Sequence, residues 1–260
     1  MNAEKKLLDI YRQFPCRMLP NAYWKTVSVM GQDDLIVQKY SAKKLESLAV
    51  WHEGKLLALW CQDLESSGLF TEQIDQVPFV LVHADCLPLF SHREFSTRKA
   101  YFRLIHQHTR LDTDLPTGFG FDDVQPERDL EGIVRLLRVC YQGIEITATT
   151  VWNWTSHPAY DPSLWVWVVD LQSGERIGLG IAELDQRVPE ASLEWIQIMP
   201  HFQNRGIGAA LVGEMGRRVN HRAAFTAVSG ARDNPFHPER LYRKCGFTGS
   251  DVWWLLTDQG

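Results

Sequence analysis

The sequence predicts an α/β protein built as two halves. Three observations point there. At 260 residues the chain exceeds the usual span of one core. A hairpin-like pair of apolar runs followed by a further buried strand recurs in both halves. The second half also alternates strand-like runs with stretches of helical periodicity.

In the first half, LESLAVWHEGKLLALWCQD reads as two strands joined at Glu53 and Gly54, and VPFVLVHA as a later buried strand. The polar segment TRLDTDLPTG, Thr109 to Gly118, contains Pro116 and marks a domain boundary between residues 1–110 and 118–260. Beyond it, Leu130, Ile133, Leu136 and Leu137 lie on one face of a helix over Pro126 to Cys140. SLWVWVVDLQSGERIGLGIAEL repeats the hairpin plan around Ser173 and Gly174, and SLEWIQIMP follows as a strand. Ile207, Leu211, Met215 and Val219 recur every four residues and predict a second helix. AAFTAVSG then reads as a strand, PERLYRKC as a helix stopped at Gly246, and DVWWLLT as the last strand.

Composition narrows the class. The chain is 45% hydrophobic and 23% charged, as in ordinary globular proteins. A formal charge of -5 with no basic run argues against a nucleic-acid partner. The five cysteines, Cys16, Cys61, Cys86, Cys140 and Cys245, are scattered without metal or redox spacing and read as reduced thiols of a cytoplasmic protein. His106, His108, His201 and His237 form no metal-ligand pattern. The acidic residues Glu4 and Asp9 near the N-terminus, and the lack of any long apolar run, argue against secretion and membrane spanning.

The sharpest feature is PHFQNRGIGAAL, which joins a strand to a helix. The first turn of a helix has amides with no intrahelical partner and carries partial positive charge, so a diphosphate can be held there by backbone alone. Gly206 and Gly208 remove Cβ atoms from that approach. A dinucleotide fingerprint would need a third glycine where Leu211 stands, and a triphosphate loop would need Gly-Lys-Ser/Thr; neither is present.

Gln203, Gly206 and Gly208 follow a strand ending Ile198, Met199, Pro200, and Tyr242 stands four residues ahead of Gly246 and Phe247. In both places the chain resembles the Gcn5-related N-acetyltransferase (GNAT) superfamily. The first half fits only as a degenerate copy, with no glycine loop. The resemblance implies a GNAT-like acyl-CoA N-acyltransferase fold with acetyl-CoA as cofactor. Pantetheine would run along Ile196, Gln197 and Ile198, and pyrophosphate would sit on Gln203, Asn204, Arg205, Gly206, Ile207, Gly208 and Ala209, with Asn234 and Tyr242 also near the cofactor. Extra residues in NPFHPERLY set Asn234 apart from the common spacing.

An alkylamine with a pKa of about 10.4 needs roughly 4–5 kcal/mol to be freed of its proton at neutral pH, so a base is useful. Glu194 is the candidate, on the strand leading to Ile198, with an even spacing that puts both on one face. Tyr242 is the candidate acid for the departing thiolate. Trp154, His157 and Trp165 lie in an aromatic tract where the family forms its acceptor wall. The activity implied is transfer of an acyl group to a small-molecule or peptide amine by direct attack, in a monomer or homodimer. The alternatives are a non-catalytic acyl-CoA sensor and a nicotinamide oxidoreductase.

Overall fold

The structure, a computed structural model, describes residues 3–29, 35–41, 44–64, 74, 77–107, 114–141 and 143–258. The chain divides into two compact units. The first comprises Met1–Leu104, Ser229–Glu239 and Gly249–Gly260, and the second Ile105–Val228 and Arg240–Thr248. Half of the expected linker Thr109 to Gly118, residues 109–113, lies outside the described residues.

The first unit opens with helices α1 (Ala3–Tyr11), α2 (Pro15–Met18) and α3 (Tyr23–Val29). Its strands are β1 (Leu35–Ser41), β2 (Lys44–His52), β3 (Lys55–Cys61), β4 (Phe79–His83), β5 (Thr97–His106) and β11 (Thr248–Thr257). Their order is β1-β2-β3-β4-β11-β5. The pair β2/β3 forms the hairpin the sequence predicts, closing with His52 opposite Lys55. Ala49, Leu56, Leu59, Val80, Val82, Phe90 and Leu256 build a buried cluster on this sheet.

Because β3 and β4 run parallel, their C-terminal ends reach the same edge. There Cys61 ends β3, Cys86 follows β4, and the two form a disulfide with Cα atoms 6.1 Å apart. This corrects the expectation of five reduced thiols: a separation of 25 residues hides a contact made by strand pairing. Cys16, Cys140 and Cys245 are free and buried.

In the second unit the strands are β6 (Phe119–Asp123), β7 (Trp165–Asp170), β8 (Arg176–Asp185), β9 (Glu190–Ile198) and the start of β10 (Phe225–Ala231), in the order β10-β9-β8-β7-β6. β6 to β9 pair antiparallel, while β9 and β10 pair parallel. Helices α4 (Pro126–Cys140) and α5 (Ala148–Trp154) precede β7, and α6 (Ile207–Val219) joins β9 to β10. α7 (Pro238–Lys244) precedes β11.

Strand alternation places α4 and α6 on opposite faces of this unit. Leu179 and Ile181 pack with Ile133, Leu136 and Leu137 of α4. Gly180, between them, faces α6 so closely that a Cβ would lie 2.9 Å from Leu211 and 3.0 Å from Met215. Glycine there lets the helix settle on the strand.

At the edge of α4, buried Asp129 accepts hydrogen bonds from Trp167 Nε1 (2.9 Å), Arg176 Nη1 (2.6 Å) and the Gln125 amide (2.9 Å). The Arg176 guanidinium also lies over the Trp167 ring, 4.9 Å from its centroid. Among the described residues no helix is long and apolar enough to cross a membrane.

Candidate active site

Two departures from regular pairing shape β9. Its ladder to β10 runs from Glu190 opposite Phe225 only as far as Leu193 opposite Val228. Against β8 the register passes from Ala182 opposite Leu193 to Ile181 opposite Trp195, which makes Glu194 the extra residue of a β-bulge. Glu190 to Leu193 are buried, whereas Glu194, Trp195, Ile196 and Gln197 are half-buried. A central strand thus opens over four consecutive residues. The bulge also corrects the expected facing: it interrupts the alternation, so the even spacing of Glu194 and Ile198 no longer fixes a common side.

Within this stretch the Ser192 hydroxyl donates to Glu194 Oε1 at 2.6 Å and orients the carboxylate. Gln197 Nε2 donates to the Tyr141 hydroxyl at 2.9 Å. Ile198 is buried, and its carbonyl accepts from the Gln203 side chain at 2.9 Å and, more weakly, from Cys140 Sγ at 3.7 Å. The Gln203 amide therefore ties the loop back to the end of the strand.

The loop itself turns through a short 3-10 helix, Pro200–Phe202, and then through two left-handed residues, Asn204 (φ 61) and Gly206 (φ 84). Gly206 is the N-cap of α6, and its φ is the region that glycine occupies without strain. The first intrahelical bond runs from the Ala210 amide to the Gly206 carbonyl at 3.1 Å, so the amides of Ile207 and Gly208 precede the helical ladder. Gly206 offers no side chain to cap this end, and no acidic residue of the helix itself occupies its first turn. The positive end of the dipole and the Ile207 and Gly208 amides suit an anion such as a pyrophosphate. Arg205 stands beside it, its guanidinium 5.2 Å from the Phe202 ring centroid. At Gly208 a Cβ would already approach Leu241 to 3.4 Å.

Tyr242 projects from α7 and is 7% exposed. Burial pushes its pKa well above that of an ordinary phenol, and the negative charges of ionised Tyr141, Cys245 and Glu194 push the same way. Gly246 (φ 83) ends the helix, with the Phe247 amide donating to the Tyr242 carbonyl at 3.0 Å. The Phe247 ring then meets Tyr242 edge-on at 5.6 Å. The tyrosine and Gly-Phe pair picked out in the sequence is thus one packed cap.

The aromatic tract divides. Trp154, at the end of α5, stacks on Trp195 with centroids 5.5 Å apart and planes 20° apart. Trp165 is only 1% exposed and supports Trp154 from below, edge-on at 6.3 Å. His157 serves its own turn, with Nδ1 accepting from the Ala159 amide at 3.4 Å. Asn234 belongs to the first unit, where its side chain accepts from the Phe236 amide at 3.0 Å.

Residues 162–249 match a family model described as an acetyltransferase (GNAT) domain. The chain carries a GNAT domain. Solved structures extend the likeness of fold to the whole chain, beyond that domain. A GCN5-related N-acetyltransferase from Sphaerobacter thermophilus has a TM-score of 0.69 at 15% identity, covering 98% of this chain and 92% of its own. A GNAT-family acetyltransferase from Colwellia psychrerythraea scores 0.60 at 12% identity, over 100% and 98%. A tandem GNAT protein from the clavulanic acid biosynthesis pathway scores 0.58 at 10% identity, over 99% and 97%. No curated protein sequence matches the chain.

Sequence reasoning missed Ser192 and Trp195, within the matched residues, and Tyr141, which precedes them. Tyr141 directly follows the predicted helix and could have been flagged as its end. The positions of Ser192 and Trp195 depend on the bulge, for which the sequence carries no local signal.

Proposed function

We propose that the GNAT domain transfers an acetyl group from acetyl-CoA to a primary amine by direct attack within a ternary complex. The observation that carries this reading is the glycine-led start of α6, with no acidic residue of its own in the first turn, following the open stretch of β9. Acetyl-CoA supplies the acyl group as an activated thioester. Backbone from Gln203 to Ala209 would hold the pyrophosphate, and Ile196 to Ile198 would line the pantetheine. Glu194, oriented by Ser192, would take the proton from the acceptor ammonium directly or through water. Tyr242, kept protonated far above neutral pH by burial, would hold a proton for the leaving sulfur. Trp154 would contribute to the acceptor wall, with Trp165 behind it. Among its described residues the first unit has no glycine loop opening a helix, and we read it as a degenerate GNAT-like half that binds no CoA.

Glu194→Gln tests the reading. The amide keeps the size and the hydrogen bond to Ser192 but cannot take a proton. Turnover with acetyl-CoA and amine should fall by about 10²–10³-fold, with acetyl-CoA affinity unchanged by calorimetry. Unaltered single-turnover rates would remove Glu194 from the chemistry. Binding of acetyl-CoA without amine-dependent thiol release in the wild type would instead favour a sensor.

A further inference from the structure

Tyr141 is a phenol with no part in the proton transfers of Glu194 and Tyr242. It directly follows α4 and is half-buried, and its oxygen accepts a hydrogen bond from Gln197 Nε2 at 2.9 Å. Among the described residues that is the one hydrogen bond the oxygen makes, so the hydroxyl's own proton remains to be donated. The ring is fixed edge-on against Trp195, with centroids 5.7 Å apart. Burial raises the pKa of Tyr141 and outweighs the lowering by the Gln197 bond, so the donor keeps its proton at neutral pH.

The pairing of β8 with β9 decides which side this hydroxyl takes. Leu179 and Ile181 of β8 pack with α4, and Gln197 and Trp195 stand opposite them, so both project to the α4 side, where Tyr141 meets them. Ser192, opposite Glu183 and thus two residues along from Ile181, lies on the same side and holds the Glu194 carboxylate there. At the end of β9 the two tyrosines approach one residue through their chain neighbours. Cys140, before Tyr141, has its Sγ 3.7 Å from the Ile198 carbonyl oxygen. A Cβ at Gly208 would meet Leu241, before Tyr242, at 3.4 Å and Ile198 at 3.9 Å. Burial raises the pKa of Tyr242 most, and the charges of Tyr141, Cys245 and Glu194 add to it, so all three reach its hydroxyl. Base, acid and Tyr141 thus gather at the open end of β9.

We propose that the Tyr141 hydroxyl donates to the thioester carbonyl oxygen of acetyl-CoA and stabilises the negative charge that builds there during attack. The inference rests on the acetyl-transfer reading of the same site. A carbon bonded to a sulfur at Tyr242 and approached by a nitrogen from Glu194 has its oxygen left for Tyr141. As the nitrogen lone pair forms the N–C bond, the carbonyl π pair moves onto oxygen. It returns as the C–S bond breaks and sulfur leaves with the bonding pair. Tyr141 transfers no proton in either step. A donor fixed in advance, away from bulk water, needs no reorganisation as that charge appears.

Tyr141→Phe keeps the ring against Trp195 and removes the donor. Single-turnover acetyl transfer by the full chain should fall by about 10²–10³-fold, with acetyl-CoA affinity changed by less than about tenfold. Infrared difference spectra of bound acetyl-CoA, labelled with carbon-13 at the acetyl carbonyl, give a readout that packing would not move. The carbonyl band should lie at lower wavenumber in the wild type than in Tyr141→Phe. Gln197→Leu, which removes the brace and leaves the phenol, should lose part of both effects, and it decides if Tyr141→Phe does not fold. An unchanged band or single-turnover rate, or a loss confined to the KM of the amine, overturns the inference and leaves acetyl transfer standing. A band shifted by Tyr141 in a protein that releases no thiol with any amine supports the hydrogen bond and overturns the transfer reading instead. Failure of the wild type to bind acetyl-CoA overturns both.

Discussion

Tyr242 is buried, and its raised pKa keeps the phenol protonated across the range in which an amine acceptor is freely deprotonated. Tyr242→Phe removes that proton and keeps the ring against Phe247. Single-turnover acetyl transfer should fall by about 10–1,000-fold while the KM for acetyl-CoA barely moves. Because the shift is upward, ionisation of Tyr242 should impose no loss of wild-type activity between about pH 7 and 10; a tyrosine-dependent decline in that range, absent from the phenylalanine variant, would contradict the burial argument. At Gly208 the space is already filled to 3.4 Å by Leu241. Valine there should weaken acetyl-CoA binding by at least about tenfold in calorimetry with cooperative unfolding retained, and unchanged affinity would move the pyrophosphate elsewhere. The sequence singled out both because each sits in a short, local motif. Trp195 was not singled out, since a bulge decides what it faces.

Elements built on simple periodicity were read well: α4, α6 and both hairpins lie where apolar spacing put them. β5 escaped, because Arg98, Lys99 and Arg103 interrupt its apolar run. Arg103 is nevertheless buried, donating to the Tyr11 hydroxyl at 2.7 Å, and sequence does not announce a charged residue turned inward. Tyr11 itself ends α1, where Leu7, Ile10 and Tyr11 form a buried helical face that the sequence reading passed over. The anchor of α4 yields a prediction about stability. Burial alone would raise the pKa of Asp129, but hydrogen bonds from Gln125, Trp167 and Arg176, with the Arg176 charge, outweigh it and leave the pKa below the ordinary value. A carboxylate with a lowered folded-state pKa stabilises fully above its unfolded pKa of about 3.9, and that contribution is lost as pH falls through the folded value. Asp129→Asn should cost about 1–3 kcal/mol near pH 7 and flatten the acid limb of stability. Urea midpoints measured from pH 2 to 7 check both effects; equal acid sensitivity in the two proteins would assign the limb to other groups.

At the scale of the molecule, the two-part organisation was legible from repeated strand patterns, but the grouping of segments was not. Residues 229–239 and 249–260 gather with the N-terminal residues, and Trp253 of β11 is buried in the first unit, donating to the Cys16 carbonyl at 2.8 Å. Long-range pairing of this kind leaves no mark on local sequence, and the same is true of the disulfide between Cys61 and Cys86. One glycine loop predicts one acetyl-CoA per chain at saturation, and two per monomer would show that the first unit has a cofactor site of its own. The central claim is that this chain moves an acetyl group to an amine. It is tested most directly by following thiol release from acetyl-CoA with the full chain across a panel of primary amines. The account predicts release that depends on both enzyme and amine, with the acetylated amine formed in equal amount. Acetyl-CoA bound at one site per chain, with thiol release no faster in the presence of any amine than in its absence, would contradict it.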